Sequence, residues 1–232
     1  MGDPMTGLAI APVSLTEAVA ASLRGKILDG AIEPGEPLPE AELTREFGVA
    51  RPTVRAAIQT LCHEGLLVRE RNRSAYVPRL TRDEVEDLFV VRIPIECLIV
   101  RNALGRTASL REVHVALARL SALTPSSPWS EVVDADLAFH QALASATGSP
   151  RLERLYGSMT GEIRLCMSQL RPSWKSPMDM SDEHRELLAI IEGGDVDAAT
   201  ARMTAHLERA LRDLTTDRPS ASRFTRAKPH GA

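Results

Sequence analysis

The chain has 232 residues, room for one large domain or two modest ones, and its 44% apolar content suits a packed core rather than disorder. Aromatics make up only 3%, so Leu, Val, Ile and Ala must fill that core. A net charge of −3 argues against attraction of the whole chain to nucleic acid, and no run of about 18 apolar residues marks a membrane span.

Residues 1–13 read as a flexible N-terminus without the basic flank or apolar run of a signal peptide, which points to a cytoplasmic protein. Ser14 and Glu17 have capping-box spacing, and the helix they open carries Val19, Leu23 and Ile27 at four-residue steps. AIEPGEPLP, with three prolines and a glycine, cannot continue it. A short helix is expected from Glu40 to Phe47, stopped by Gly48, and another from Arg51 to His63 with Val54, Ile58 and Leu61 inward. Its opposite stripe is Arg51, Arg55 and Gln59. LLVRERNRSAYVP reads as two short strands around a polar tip, Glu70 to Ser74.

That order, helix, helix, turn, helix, hairpin, is a winged helix-turn-helix over residues 14–79. The third helix would enter the major groove, where arginine can donate two hydrogen bonds to guanine O6 and N7. Arg71 and Arg73 at the hairpin tip would reach flanking backbone or minor groove. Charge agrees: between residues 45 and 79 seven arginines stand against three glutamates, while the rest of the chain is acidic.

Residues 80–216 contain no convincing strand pattern. Six helical patterns, roughly 82–104, 109–123, 129–147, 150–170, 182–192 and 195–215, are separated by short Gly- and Pro-rich breaks, as in an antiparallel bundle. Pro94 predicts a kink in the first. Residues 217–232 read as a disordered tail. The fold class expected is mainly α: a winged helix-turn-helix followed by an all-helical bundle.

Cys62, Cys97 and Cys166 each lie in an apolar helical pattern and read as buried free thiols. Among six histidines, His63, His114 and His230 look incidental. His140 is different, because Asp136 lies one turn before it on a helix that should bury an apolar stripe. His184, at the start of the fifth bundle helix, and His206, in the middle of the sixth, could join them. Spacing alone leaves two readings open: separately hydrogen-bonded structural residues, or a divalent metal site of the kind bundle cores assemble from facing helices. Leaving such groups buried and unsatisfied would cost about 1–3 kcal/mol each.

GAIEPGEPLPEAELTREFGVARPTVRAAIQTLCHEGLLV resembles the DNA-binding domain of GntR-family bacterial regulators. DLAFHQALASATGSPRL and DEHRELLAIIEGGDVDAATARMTAHL are similar to segments of the FCD ligand-binding domain of the FadR-type subfamily. The resemblance covers residues 15–215, and the bundle's helix count suggests the shorter, six-helix (VanR-like) branch. It implies that Asp136, His140, His184 and His206 bind a divalent metal, zinc before manganese, iron or nickel. It likewise implies that Arg51 and Arg55 contact the operator, with the wing tip around Arg71 and Asn72 assisting; with Thr53, Gln59 and Arg73 these make up the expected DNA-binding set. Arg92 and Glu96 match an R-x-x-x-E pattern; Arg92 is a candidate to grip a carboxylate effector, a plain Arg–Glu helix pair being the alternative. Three departures stand out: Ala41 where relatives often have Arg, Ala50 where Ser or Thr is common, and a wing without glycine.

The expected function is therefore a transcriptional regulator, a repressor by the commoner mode. It would be a homodimer on double-stranded operator DNA, modulated by a small organic-acid-like effector, with no membrane partner. The alternatives are a metalloenzyme, for which the sequence places no obvious general base, or a structural helical dimer with a DNA-binding head.

Overall fold

The computed structural model of the chain describes residues 14–104, 110–169 and 176–215. The N-terminus expected to be flexible, the break at Gly105, most of residues 171–177, His230 and the tail expected from 217 lie outside the described residues.

The N-terminal unit begins with α1 (Leu15–Leu28), whose cap is Ser14 accepting from the Glu17 N–H at 3.1 Å. A two-residue strand β1 (Pro37–Leu38) leads into α2 (Glu40–Phe47), which stops where Gly48 takes the left-handed conformation at φ 62°. Then comes α3 (Arg51–His63), with Pro52 in its first turn, where no intrahelical N–H is lost. Val19, Leu23, Ile27, Val54, Ile58 and Leu61 interlock with Leu38 and Leu43 in one apolar core. Each such side chain removed from water is worth about 1.5–3 kcal/mol.

The wing departs from the expected hairpin. Strand β2 (Ala75–Tyr76) pairs antiparallel with β1, Pro37 opposite Tyr76 and Leu38 opposite Ala75. The other arm of the hairpin shrinks to one bridge, in which Val68 and Tyr76 exchange N–H···O bonds of 2.9 and 3.0 Å. The Pro-rich stretch read only as a helix stop thus supplies a strand, and the tip turns at Asn72, φ 62°, a conformation that Asn tolerates.

Thr81 and Glu84 form a capping box at the head of α4 (Arg82–Ala103), which runs through Pro94. The bundle continues with α5 (Arg111–Ser121), α6 (Trp129–Ala146), α7 (Pro150–Gln169), α8 (Pro177–Glu192) and α9 (Val196–Thr215). α8 starts earlier than its expected 182, because Ser176 and Asp179 make a second capping box and Pro177 sits in the first turn. His184 consequently lies inside α8, not at its start. A second apolar core, centred on Phe89, Val133, Phe139, Tyr156, Leu187 and Met203, is drawn from all six helices.

The two units touch along α7. Leu165 of α7 is buried in the N-terminal core. Gln169 spans the joint, its Oε1 accepting from the Leu80 N–H at 3.1 Å and its Nε2 donating to the Pro78 carbonyl at 2.5 Å. At the first residues of α6, the Ser130 N–H donates to Asp29 Oδ1 at 3.1 Å. Gly161 meets the backbone of Glu64, just beyond α3, so closely that a Cβ there would lie 1.4 Å from the Glu64 carbonyl oxygen.

Candidate metal centre and nucleic-acid face

Three bundle helices bring the four expected ligands together. Asp136 and His140 stand one above the other on α6, His184 projects from α8 and His206 from α9, and all four are buried. The three imidazoles offer nitrogens within 4.8 Å of one another. His184 Nε2 lies 3.3 Å from His140 Nε2 and 3.1 Å from Asp136 Oδ1.

Each outer imidazole nitrogen faces an oxygen. His184 Nδ1 is 2.6 Å from the Met180 carbonyl, which can only accept, so this nitrogen carries a proton and Nε2 is the atom turned toward the cluster. Glu96 Oε2 stands 2.5 Å from His140 Nδ1, although the contact is not aligned as a hydrogen bond. Glu183 Oε2 stands 3.4 Å from His206 Nδ1, again without good alignment. Oxygens behind the ring are what metal-binding histidines use to fix tautomer and aim. The places of Glu96 and Glu183 behind the histidines escaped the sequence reading because they sit on other helices or beside a ligand in the chain. The spacing of Arg92 and Glu96 was the only local clue.

Burial holds His206 down to about 3, with Glu183 opposing and the neighbouring His184 and His140 reinforcing. The ring is therefore neutral at neutral pH, as a ligand must be. Burial pushes the Asp136 carboxyl up, but the bond from His184 and the charges of His184, His140 and Arg92 outweigh it and hold the group ionised, well below its ordinary value. Glu96, likewise buried, is held at about 2 by His140 and Arg92.

This donor set fits a divalent cation. With Nδ1 donating to the Met180 carbonyl, His184 turns its Nε2 toward a carboxylate oxygen and another imidazole nitrogen. Such a convergence in a dry core calls for a shared positive charge, met by a proton on Nε2, which then bonds to Asp136, or by a divalent cation among the donors. Three imidazoles and one carboxylate suit zinc and the other first-row metals named above.

A cavity of about 50 Å³ opens beside the cluster, lined by Arg92, Trp129, Asp136, Glu183, His184 and His206 among others. Arg92 is 3% exposed and its Nε donates to Glu96 Oε1 at 2.5 Å, so it is both an ion-pair partner and part of the cavity wall.

In the N-terminal unit, Arg51, Arg55 and Gln59 are exposed along α3 and Thr53 is half-buried beside them. Arg71, Asn72 and Arg73 are exposed at the wing tip, where Arg73 Nη1 donates to Glu70 Oε2 at 2.8 Å. Arg55 is tied back to Glu40, which also takes a bond from Arg69; neither tie was read from the sequence. Among the described residues Arg51 and Arg71 have no ion pair.

Comparison with known proteins covers both units. Residues 87–209 match the FCD domain model, and residues 15–77 match the model of bacterial regulatory proteins, gntR family. The chain is 25% identical over 199 residues to the HTH-type transcriptional repressor RspR of Escherichia coli, across 80% of this chain and 82% of that protein. It is 25% identical over 228 residues to the galactonate operon transcriptional repressor of the same species, across 86% and 98%. A crystal structure of a GntR transcriptional regulator from Rhodococcus sp. RHA1 superposes with a TM-score of 0.73 at 29% identity, covering 88% of this chain and 99% of that one.

Proposed function

The chain belongs to the gntR family of bacterial regulatory proteins and carries an FCD domain, and from that premise we propose a metal-containing, effector-responsive repressor. That it is a DNA-binding transcriptional regulator, and not an enzyme, follows from the family itself. Repression is supported by repressors among its relatives, the two described above included. The observation that carries the sensing half is the convergence of His184 Nε2, Asp136 Oδ1 and His140 Nε2 in a dry core.

In this reading Asp136, His140, His184 and His206 hold one divalent ion, zinc first, and the ion supplies a Lewis-acidic anchor for an oxygen ligand. Arg92 presents a buried cation on the same cavity wall, so the effector is a small carboxylate. The galactonate named for one relative is itself a hydroxy-carboxylate, which supports that class. The cavity, at about 50 Å³, admits only a few waters as it stands, so a carboxylate ligand must widen it. Binding then favours one arrangement of the helices over another and shifts the population of the DNA-competent form.

The operator is read by Arg51, Thr53, Arg55 and Gln59 in the major groove, with Arg71, Asn72 and Arg73 at the flanks. The regulator acts in the cytoplasm, and no described helix is long and apolar enough to cross a membrane. The division at residues 79 and 80 is supported by two separate apolar cores, and the six-helix branch by the count from α4 to α9.

A second copy of the chain is the natural partner for α4. Val90, Val91, Pro94 and Leu98 form an exposed apolar stripe on it, Val90 being 70% exposed. Two α4 helices crossing antiparallel about Pro94 would set Val90 against Leu98 and Asp87 against Arg101 of the other copy, a self-complementary arrangement in apolar contact and in charge.

The decisive experiment combines metal analysis of purified protein with DNA band-shifts in the presence of small hydroxy-carboxylates. One equivalent of divalent metal and carboxylate-dependent release of DNA are expected. Metal-free protein that binds and releases DNA normally would refute the sensing mechanism.

A further inference from the structure

We infer that Glu40 is a positioning residue for operator reading, a single carboxylate that aims Arg55 of the recognition helix and ties it to the base of the wing at Arg69. The inference rests on the reading above, in which α3 and the wing face the duplex.

Glu40 opens α2, and its side chain is 18% exposed between two arginines that are 62% and 41% exposed. Its Oε1 accepts from Arg55 Nε at 3.3 Å and from Arg69 Nη2 at 2.8 Å, and its Oε2 accepts from Arg55 Nη2 at 3.0 Å. The two arginines hold its carboxyl below the ordinary range, so it is ionised whenever DNA would be bound. Arg55 spends its Nε–Nη2 edge on this carboxylate. A guanidinium is rigid and planar, so fixing one edge fixes the direction of the other. The N–H groups of Nη1, with the outer one of Nη2, are left as an end-on fork that can still take guanine O6 and N7.

Arg69 follows Val68, whose backbone closes the base of the wing on Tyr76. The same carboxylate therefore links three elements that must meet the duplex in register: α2, α3 and the wing. Arg51, one turn before Arg55, has no such tether among the described residues and can adapt its rotamer on contact. A negative group on a face that approaches phosphates weakens general attraction. What it gives in return is aim: one adaptable arginine and one fixed one, with the fixed one setting register.

The test starts from an operator selected out of random duplexes by the wild-type protein. Selection and equilibrium binding are then repeated with Arg51→Ala, Arg55→Ala, Glu40→Gln and Glu40→Asp. Glu40→Gln should flatten base preference at the positions flattened by Arg55→Ala and spare those flattened by Arg51→Ala. It should also raise binding to a scrambled duplex, so that the operator-to-scrambled ratio falls about tenfold and the salt dependence steepens by about one phosphate contact. Glu40→Asp keeps the charge but is too short to reach both arginines; it should flatten the same positions without raising scrambled binding. Unchanged preferences in both Glu40 variants, where Arg55→Ala does flatten some, overturn the inference alone. A uniform loss on every duplex with a lowered melting temperature makes Glu40 a mere prop of α2 and also overturns it. Should Arg55→Ala change no base preference, the recognition face itself is misread and the inference falls with it.

Discussion

His184 sits at the centre of the buried site: its Nδ1 bonds to the backbone behind it, and its Nε2 faces Asp136 and His140. Replacing it with Ala should lower metal content and melting temperature together. Chelator should then depress the melting temperature of the wild type and leave that of the variant where it is, since stabilisation by a ligand at 100 times its Kd is about 2.7 kcal/mol. Full metal stoichiometry in His184→Ala would mean the ligand set is wrong. His206 gives the metal-free protein a pH dependence. Its folded value is about 3 against an ordinary 6.5, so between these the unfolded chain binds the extra proton. Stability therefore falls as pH drops through that window, by up to about 1.4 kcal/mol per unit. Glu96, held at about 2 against 4.5, adds loss in the same direction at lower pH. Calorimetry in chelator should show a melting temperature level above pH 7 and declining below 6; a flat profile to pH 4.5 would contradict the buried neutral imidazole. On the DNA face, Arg51→Ala should weaken operator binding by about 1–3 kcal/mol and relax one base position, read by band-shift on base-substituted duplexes. Asp136 and His140 stood out in the sequence because a helical repeat puts them on one face. Glu183 and Glu40 did not, and Glu96 did only as the pair of Arg92, since each acts through a partner on another helix.

Among the elements, α2, α3 and the start of α6 were legible to the residue, because Gly48 ends one helix and the TPSSP break fixes another. The wing was not. Its strand pairing depends on Pro37 and Leu38, far away in the chain, and two-residue strands leave no period to read. The early start of α8 was hidden for a different reason, since Pro177 looked like an end when it was a beginning. The contact of α7 with the end of α3 was equally invisible, and it makes a sharp prediction. Gly161→Ala must move the two backbones apart, because the new Cβ would overlap the Glu64 carbonyl. The expected cost is about 1–3 kcal/mol, with faster proteolysis between the units and a larger radius of gyration in scattering. A variant indistinguishable from wild type in all three would show that the two units do not rest on each other at this point.

For the molecule as a whole, assembly is the open quantity that solution methods can read directly. Val90→Glu with Leu98→Glu on α4 should turn a dimer into a monomer in sedimentation and cost operator affinity, since two half-sites would no longer be held by one body. A dimer that survives both changes would have its two-fold axis elsewhere. One helix has a mechanical consequence for any such body. α6 carries Asp136 and His140 on one side of its length and, at its start, the backbone N–H of Ser130 that grips Asp29 of the N-terminal unit. Six residues of α-helix separate Ser130 from Asp136, about 9 Å of a stiff rod. A tilt of that rod at the cluster swings its near end like the short arm of a lever. A ligand seated beside the imidazoles would thus pull on the end of α1 through the Ser130–Asp29 bond.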